Sequence, residues 1–327
     1  MMSPEEAASL TAAVALEVAG GLVDEAAKYS ARRQSTYRHD NPGLVRDPVD
    51  RVQRTFHNKS RATSTLARFV NLAVTEPSRR STAALNLRHP ALREGRTIFS
   101  TRVFDAHERD RVLISGENNA KLGKRVTVGD WAGFPIYTMS LEERATCPRT
   151  CAAWAECYGN GMPAAVRFRY TPALLLAIHR DLTILSKLPR SKRGFVVRLH
   201  VLGDFPDARY AREWARWSSE FPALRVEGYT AHPRHSEIGS IIAAMNAKRS
   251  NRWQIRNSVA PDAPYEPMQV TTLWEKPDRN VYDPATKTMV CPQELGKTQT
   301  CGTCGVCWKP ELNHVRVAFF GHGGRGQ

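Results

Sequence analysis

The sequence predicts an α/β fold: a parallel sheet or partial (β/α) barrel, with a cysteine-rich C-terminal cluster module after it and a basic, mainly helical N-terminal extension ahead of it. Three observations carry this. Beyond residue 110, short apolar and β-branched runs alternate with segments of helical period, as βαβ units require. The seven cysteines fall into two groups, Cys147, Cys151 and Cys157 at C-x3-C-x5-C, and Cys291, Cys301, Cys304 and Cys307 at C-x9-C-x2-C-x2-C. The basic charge is concentrated early: between Lys28 and Arg111, 18 Lys and Arg face 8 Asp and Glu, which is +10 of the net +15. The chain thus divides into a basic extension (1–110), an α/β core with the first cysteine loop (111–288) and a cysteine-rich module with its tail (289–327).

Taking the elements in order, Pro4, Glu5 and Glu6 suit the first turn of a helix capped by Ser3. An acidic start and the lack of any run of about 18 apolar residues argue against export and against a membrane span. The Ala-rich segment 7–18, broken by Glu17 and then by Gly20 and Gly21, reads as a soluble helix. The basic stretch that follows interleaves Tyr37, Phe56 and Phe69 with its cations. It is expected to attract phosphates, so a nucleic acid bound through residues 28–111 is the candidate partner, and a solvated basic face is the plainer reading.

Short strands are expected at 111–115 and 131–139, the second delivering the chain into the first cysteine loop. A helix over 172–188 has Leu174, Leu175, Ile178, Leu182 and Leu185 on one face. The near-continuous apolar run 194–202, ending in Gly203-Asp204-Phe205, reads as a buried parallel strand. A helix over 206–217, a strand at 224–230, a helix at 236–245 capped by Ser236 and a strand at 252–259 repeat the unit. A last strand at 315–320 precedes a Gly-rich tail, expected to be flexible.

Thiolates are the ligands that soft metals and iron–sulfur clusters require. Three on one loop leave a coordination position open for chemistry, whereas four can close a site. Cys147, Cys151 and Cys157 are therefore the expected open centre, and Cys291, Cys301, Cys304 and Cys307 the closed one. In parallel α/β folds the active site lies at the C-terminal strand ends. Gly203 there lets a ligand approach the backbone, and Asp204 offers a carboxylate; an ordinary strand-to-helix turn is the alternative. Tyr229 and His232, then Asn257 and Ser258, end the next two strands. Together they are expected to make a polar pocket, with Asp204, Tyr229 and His232 in catalytic roles and Gly203, Asp204, Asn257 and Ser258 binding a cofactor. His200, within a strand, reads as a core histidine. No P-loop, dinucleotide-binding glycine motif, Gly-x-Ser-x-Gly elbow or His-Glu-x-x-His occurs, which argues against ATP hydrolysis and serine chemistry.

A cysteine loop after an early strand, then a helix, then a strand ending in Gly-Asp, resembles the start of a radical S-adenosylmethionine enzyme, in which three cysteines bind a 4Fe-4S cluster. That superfamily mostly uses C-x3-C-x2-C; here the third cysteine comes three positions late and Tyr158 follows it. More closely, Thr146-Cys147-Pro148 with Cys157-Tyr158, residues 199–205, Gly228-Tyr229-Thr230 and residues 301–308 together resemble the phage gene product 88 family over about residues 110–320. The resemblance implies a phage or prophage protein with cysteine motifs suited to iron–sulfur binding. The clustered cysteines imply a reducing compartment, the cytoplasm, which for a phage-encoded chain is the host's. Two function classes follow. One is an iron–sulfur enzyme, radical-SAM-like, with one or two 4Fe-4S clusters and S-adenosylmethionine as a candidate cofactor. The other is a non-catalytic nucleic-acid-binding protein stabilised by Zn at the C-terminal cysteines.

Overall fold

The computed structural model describes residues 84–273, 282–283 and 285–321, all within the compact unit Ser81–Gln327. The Ala-rich helix, most of the basic stretch with Tyr37, Phe56 and Phe69, and the tail beyond residue 321 lie outside the described residues.

After a short helix α1 (Pro90–Glu94) and strand β1 (Val103–Phe104), the chain builds strands β2 (Ile114–Ser115) and β3 (Ile136–Thr138) and passes through the first cysteine loop to β4 (Arg167–Phe168). Three helices and three strands then alternate: α2 (Pro172–Lys187), β5 (Phe195–Leu199), α3 (Ala208–Glu220), β6 (Leu224–Thr230), α4 (Glu237–Lys248) and β7 (Trp253–Ser258). Strands β8 (Gln269–Leu273), β9 (Tyr282–Asp283) and β10 (Thr288–Val290), helix α5 (Cys301–Cys304) and strand β11 (Arg316–Phe320) complete the described chain. The nine-stranded sheet runs β2-β3-β5-β6-β7-β8-β11-β10-β9, parallel from β3 through β10 with an antiparallel strand at each edge. The parallel sheet expected from the sequence is present, and no closed barrel is seen among the described residues: β2 and β9 end the strand order. β1 and β4 form a separate parallel pair.

The three helices form where their patterns and caps dictate. Thr171 caps α2 ahead of Pro172, Asp207 caps α3 through Tyr210 N (2.7 Å), and Ser236 caps α4 through Gly239 N (3.0 Å). α2 buries the five apolar residues expected of it, and Asp181 among them, whose carboxylate receives Val112 N (2.7 Å) and Leu113 N (2.9 Å) and so fixes the approach to β2. The helices pack on one face of the sheet, where Phe195, Val197, Leu199, Leu224, Val226, Trp253 and Ile255 meet Leu182, Tyr210, Trp214, Trp217 and Ile242 in one core. Gly228 lets β6 lie close to β5: a Cβ there would come 1.3 Å from Leu199 O, so no other residue fits.

Alternate residues point to the opposite face. There Val196 joins Ile136, Phe134, Val126, Trp131 and Trp308 in a second core, so this face is covered by loops and the terminal cysteine module. Among the described residues no helix is long and apolar enough to cross a membrane. Trp214 lies wholly buried between α3 and the sheet. Trp214→Ala is expected to destabilise the fold by about 3–5 kcal/mol, read as a lower urea midpoint at unchanged slope; a loss below about 1 kcal/mol would mean that this helix–sheet core contributes little.

Candidate functional site

The first cysteine loop leaves the sheet beyond the C-terminal end of β3 and has little regular structure of its own, so the surrounding side chains must hold it. Two buried arginines do most of this. Arg144 adopts φ +66° and donates from Nε to Trp154 O (3.0 Å) and from Nη2 to Asn160 Oδ1 (2.5 Å). Arg167 donates to Gly159 O (3.0 Å), Met162 O (3.2 Å) and Ala165 O (2.9 Å), and forms a two-pronged pair with Glu143 (2.6 and 3.0 Å). Thr97 Oγ1 donates to the same carboxylate (2.7 Å), while Glu142 takes Arg96 Nε (2.6 Å). From the other side, Leu92 O receives both Arg149 Nη1 (2.9 Å) and Trp154 Nε1 (3.2 Å), and Leu85 N donates to Ala155 O (3.0 Å). Residues 84–110, grouped by charge with the basic extension, therefore clamp the cysteine loop. Glu142, Glu143, Arg144 and Arg167 went unnoticed in the sequence. The signal available was the Glu-Glu-Arg run two residues ahead of Thr146-Cys147, where a strand exit offers little reason for buried charge.

The clamp grips the main chain and leaves the three thiols without a disulfide partner. Cys147, Cys151 and Cys157 are free thiols, half-buried. Burial pushes the Cys147 thiol well up, and the charges of Asp204, Cys151 and Cys157 add to it. Burial raises Cys151 to about 11 and also raises Cys157, where Glu143 contributes. A backbone hydrogen bond opposes the rise at each sulfur, from Arg144 at Cys147, Ala153 at Cys151 and Gly159 at Cys157.

Behind this loop, Gly203 (φ +78°) packs so closely that a Cβ would stand 2.6 Å from Thr146 Oγ1. Asp204 N donates to the same hydroxyl (3.2 Å). The Asp204 carboxylate is fully engaged, receiving Thr230 Oγ1 (2.8 Å), Phe205 N (2.7 Å) and Ala231 N (2.7 Å); burial raises its pKa. His232 Nε2 donates to Phe205 O (2.8 Å), and Asn257 Nδ2 to His232 O (2.7 Å) and Thr230 O (3.2 Å). Asp204, His232 and Asn257 thus come together as a network that ties three strand ends. Ser258 is exposed on the alternate side of β7. Tyr229 also points away from the network, because its neighbour Thr230 points into it. His200 is buried, bonded through Nε2 to Tyr210 Oη (3.0 Å), with burial lowering its pKa to about 3.

On the opposite face Tyr229 donates its hydroxyl to Cys307 Sγ (3.2 Å), and its ring carries the Arg198 guanidinium 4.0 Å from the centroid. Arg198 pairs with Glu227 (3.1 Å) on the neighbouring strand. Burial opposes the charge on Arg198, but Glu227, Tyr229, Tyr158 and Cys301 together hold its pKa well up. Arg198 therefore bears on the terminal cysteines, lowering the thiols of Cys301 and Cys307 against their burial. The terminal group is docked by its backbone: Cys301 N donates to Lys121 O (2.7 Å), Thr127 N to Gly302 O (2.9 Å), and a Cβ on Gly302 would meet Arg125 O at 2.3 Å. Trp308 stacks on Trp131 (5.8 Å, 19°), and buried Arg256 donates to Cys307 O (3.0 Å), Leu312 O (3.0 Å) and Val315 O (2.8 Å). Burial raises Cys291 to about 11 and also raises Cys301 and Cys307, each of the latter pair feeling nearby charge as well.

Among the described residues no three Cys, His, Asp or Glu side chains meet in metal-holding geometry. The donor set nonetheless suits a soft metal or a cluster, since all seven thiols are free and each rim sulfur has a backbone hydrogen bond of the kind that tunes thiolate ligands. The family described as Gene product 88 matches over residues 112–310, a span that holds both cysteine groups and the network behind them. The chain belongs to the gene product 88 family. No curated protein and no solved structure matches it. The clamp around the gene product 88 cysteine loop is directly testable. Arg167→Met leaves Glu143 charged and buried without its partner, and is expected to destabilise by about 3–5 kcal/mol; adding Glu143→Gln should restore part of that. Urea unfolding of both variants measures this, and equal stability of single and double variants would show that the pair is not what holds the loop.

Proposed function

We propose that this gene product 88 chain is an iron–sulfur protein. Cys147, Cys151 and Cys157 would hold a 4Fe-4S cluster with one iron open, and Cys291, Cys301, Cys304 and Cys307 would close around a second. The observation that carries the reading is at the first loop: its main chain is pinned by Arg144 and Arg167 around three free, half-buried thiols whose charges act on one another. When bound, such a cluster supplies an open iron able to chelate a ligand and pass it an electron, the chemistry of radical S-adenosylmethionine enzymes, and we extend the proposal to a radical-SAM-like activity on a substrate brought to the C-terminal edge of the sheet.

The chain's own residues take supporting parts. Asp204 acts through its charge beside Cys147, since Thr230, Phe205 and Ala231 occupy its oxygens. His232 and Asn257 fix the strand ends, and Tyr229 orients Cys307.

Anaerobic reconstitution is expected to yield about eight irons per chain with as many sulfides. One zinc per chain with no sulfide would instead assign the non-catalytic, zinc-stabilised reading. The two groups should also respond differently to substitution. Cys151→Ala is expected to lower iron to about four per chain with the fold kept, whereas Cys304→Ala should lower thermal stability first, because ligand binding in a closed site is also folding free energy. Equal loss of fold from both would remove the distinction between an open and a closed centre.

A further inference from the structure

The edge of the sheet opposite the cysteine rim carries a charge pattern that neither cysteine group uses. Each of α2, α3 and α4 returns the chain to the N-terminal end of the next parallel strand. The first of these connections holds Lys187, Arg190, Lys192 and Arg193; the second leads to Arg225; the third holds Lys248, Arg249 and Arg252. The register sets them side by side, since Leu224 pairs with Phe195 and Val226 with Trp253. Lys187, Arg190, Lys192, Arg193 and Lys248 are exposed.

The other three guanidinium groups converge on the turn that ends α3. Arg225 and Arg252 both donate to Pro222 O (2.8 and 3.0 Å), and Arg249 donates to Ser218 O (3.4 Å) and Ser219 Oγ (2.7 Å). They crowd one another: burial, then the charge of Arg252, lowers Arg225 to about 10, and burial, then Arg249, lowers Arg252. None of the eight cations is in an ion pair among the described residues. Glu220, the acid nearest in these connections, is held by His179 (2.5 Å) and Arg216 (2.6 Å). Asp130 is an acid placed toward this edge by its neighbour Trp131, whose indole donates to Asn251 O (3.0 Å).

We propose that this edge is a docking surface for the phosphodiester backbone of a nucleic acid. The cations span three adjacent strand starts, about 4.8 Å apart, and so form a stripe suited to a chain of phosphates. Arginine, which supplies five of the eight, matches phosphate oxygens with two-pronged bonds. A bilayer is the poorer fit, because the large apolar side chains exposed among the described residues, Leu87, Tyr158 and Leu176, lie outside these connections. Lying opposite the rim, the stripe anchors a strand without presenting it to the cysteines. It is also distinct from the basic stretch that precedes residue 111, and it does not rest on the iron–sulfur reading.

The test uses the full chain and the variant K192Q/R193Q/K248Q, whose three side chains are exposed and make no fold hydrogen bond, with Arg252→Gln as a second variant. Binding of fluorescein-labelled single- and double-stranded DNA is measured at several salt concentrations, beside vesicles of phosphatidylserine in phosphatidylcholine and polyglutamate. In the triple variant the duplex slope of log affinity against log salt is expected to become shallower by about 2–3 units, and affinity at about 0.1 M salt to fall about tenfold or more. Metal content and thermal midpoint stay at the wild-type value, and Arg252→Gln moves the slope in the same direction. A slope unchanged in both variants would place any DNA binding elsewhere in the chain and overturn the proposal. So would vesicle or polyglutamate binding that is tighter than DNA binding and falls with it.

Discussion

A guanidinium and a carboxylate shielded from water, Arg167 and Glu143, hold the part of the molecule on which the first cysteine loop depends. Burying such a pair is expensive, and its mutual attraction offsets that only when every remaining donor and acceptor is satisfied. Here they are. Arg167 turns its other donors to three loop carbonyls, and Glu143 takes a hydroxyl from Thr97. An apolar pair could fill the same volume but could not bind those carbonyls, so the charge gives the loop one conformation where its own sequence, rich in Ala and short turns, would allow many.

The same logic explains an oddity of the central strands. A parallel strand covered by helices on both sides would read as a continuous apolar run. β5, β6 and β7 are apolar toward α2, α3 and α4, yet carry Arg198, Glu227, Tyr229, Gln254 and Arg256 on the other side, Glu227, Gln254 and Arg256 buried and the other two half-buried. What covers that side is a cysteine module built of short turns, whose carbonyls need donors that a helix would have satisfied internally. Arg256 supplies three of them.

This division also explains how much could be read from the sequence. Helices with a full apolar stripe and a side-chain cap, such as α2 with Thr171 and α4 with Ser236, were legible because local propensity and burial agree there. Strands β5 to β7 were legible from their apolar runs. The positions of β8, β10 and β11 within the sheet were not, because short strands carry little periodicity and their pairing is decided by tertiary contact. Nor was the contribution of residues 84–110: their charge suggested a separate basic arm, whereas Arg96 and the Leu92 carbonyl are used inward against the loop. Period-two alternation requires Tyr229 and Thr230 to face opposite sides, but not which side holds the cysteines. Grouping Tyr229 with Asp204 and His232 followed chain position, while the strand turned its ring toward Cys307.

The buried layer of Arg198, Glu227, Tyr229 and Arg256 then bears on how two cysteine groups can share one domain. Seven thiols brought to their ligand form would place negative charge on both groups in a medium that screens it poorly. Arg144 and Arg167 lie at the first group, and Arg256 and Arg198 at the second. Glu143 pairs with Arg167 and Glu227 with Arg198, while Arg144 and Arg256 have no salt-bridge partner among the described residues; Glu227 still acts on Arg256, and Asp204 on Cys147. Arg144 and Arg256 both donate their hydrogen bonds to neutral partners, backbone carbonyl oxygens and Asn160. Burial nonetheless raises the thiols of both groups, and the carboxylates Asp204 and Glu143 add to it at the rim, so these arginines lessen the cost of charging the sulfurs without removing it.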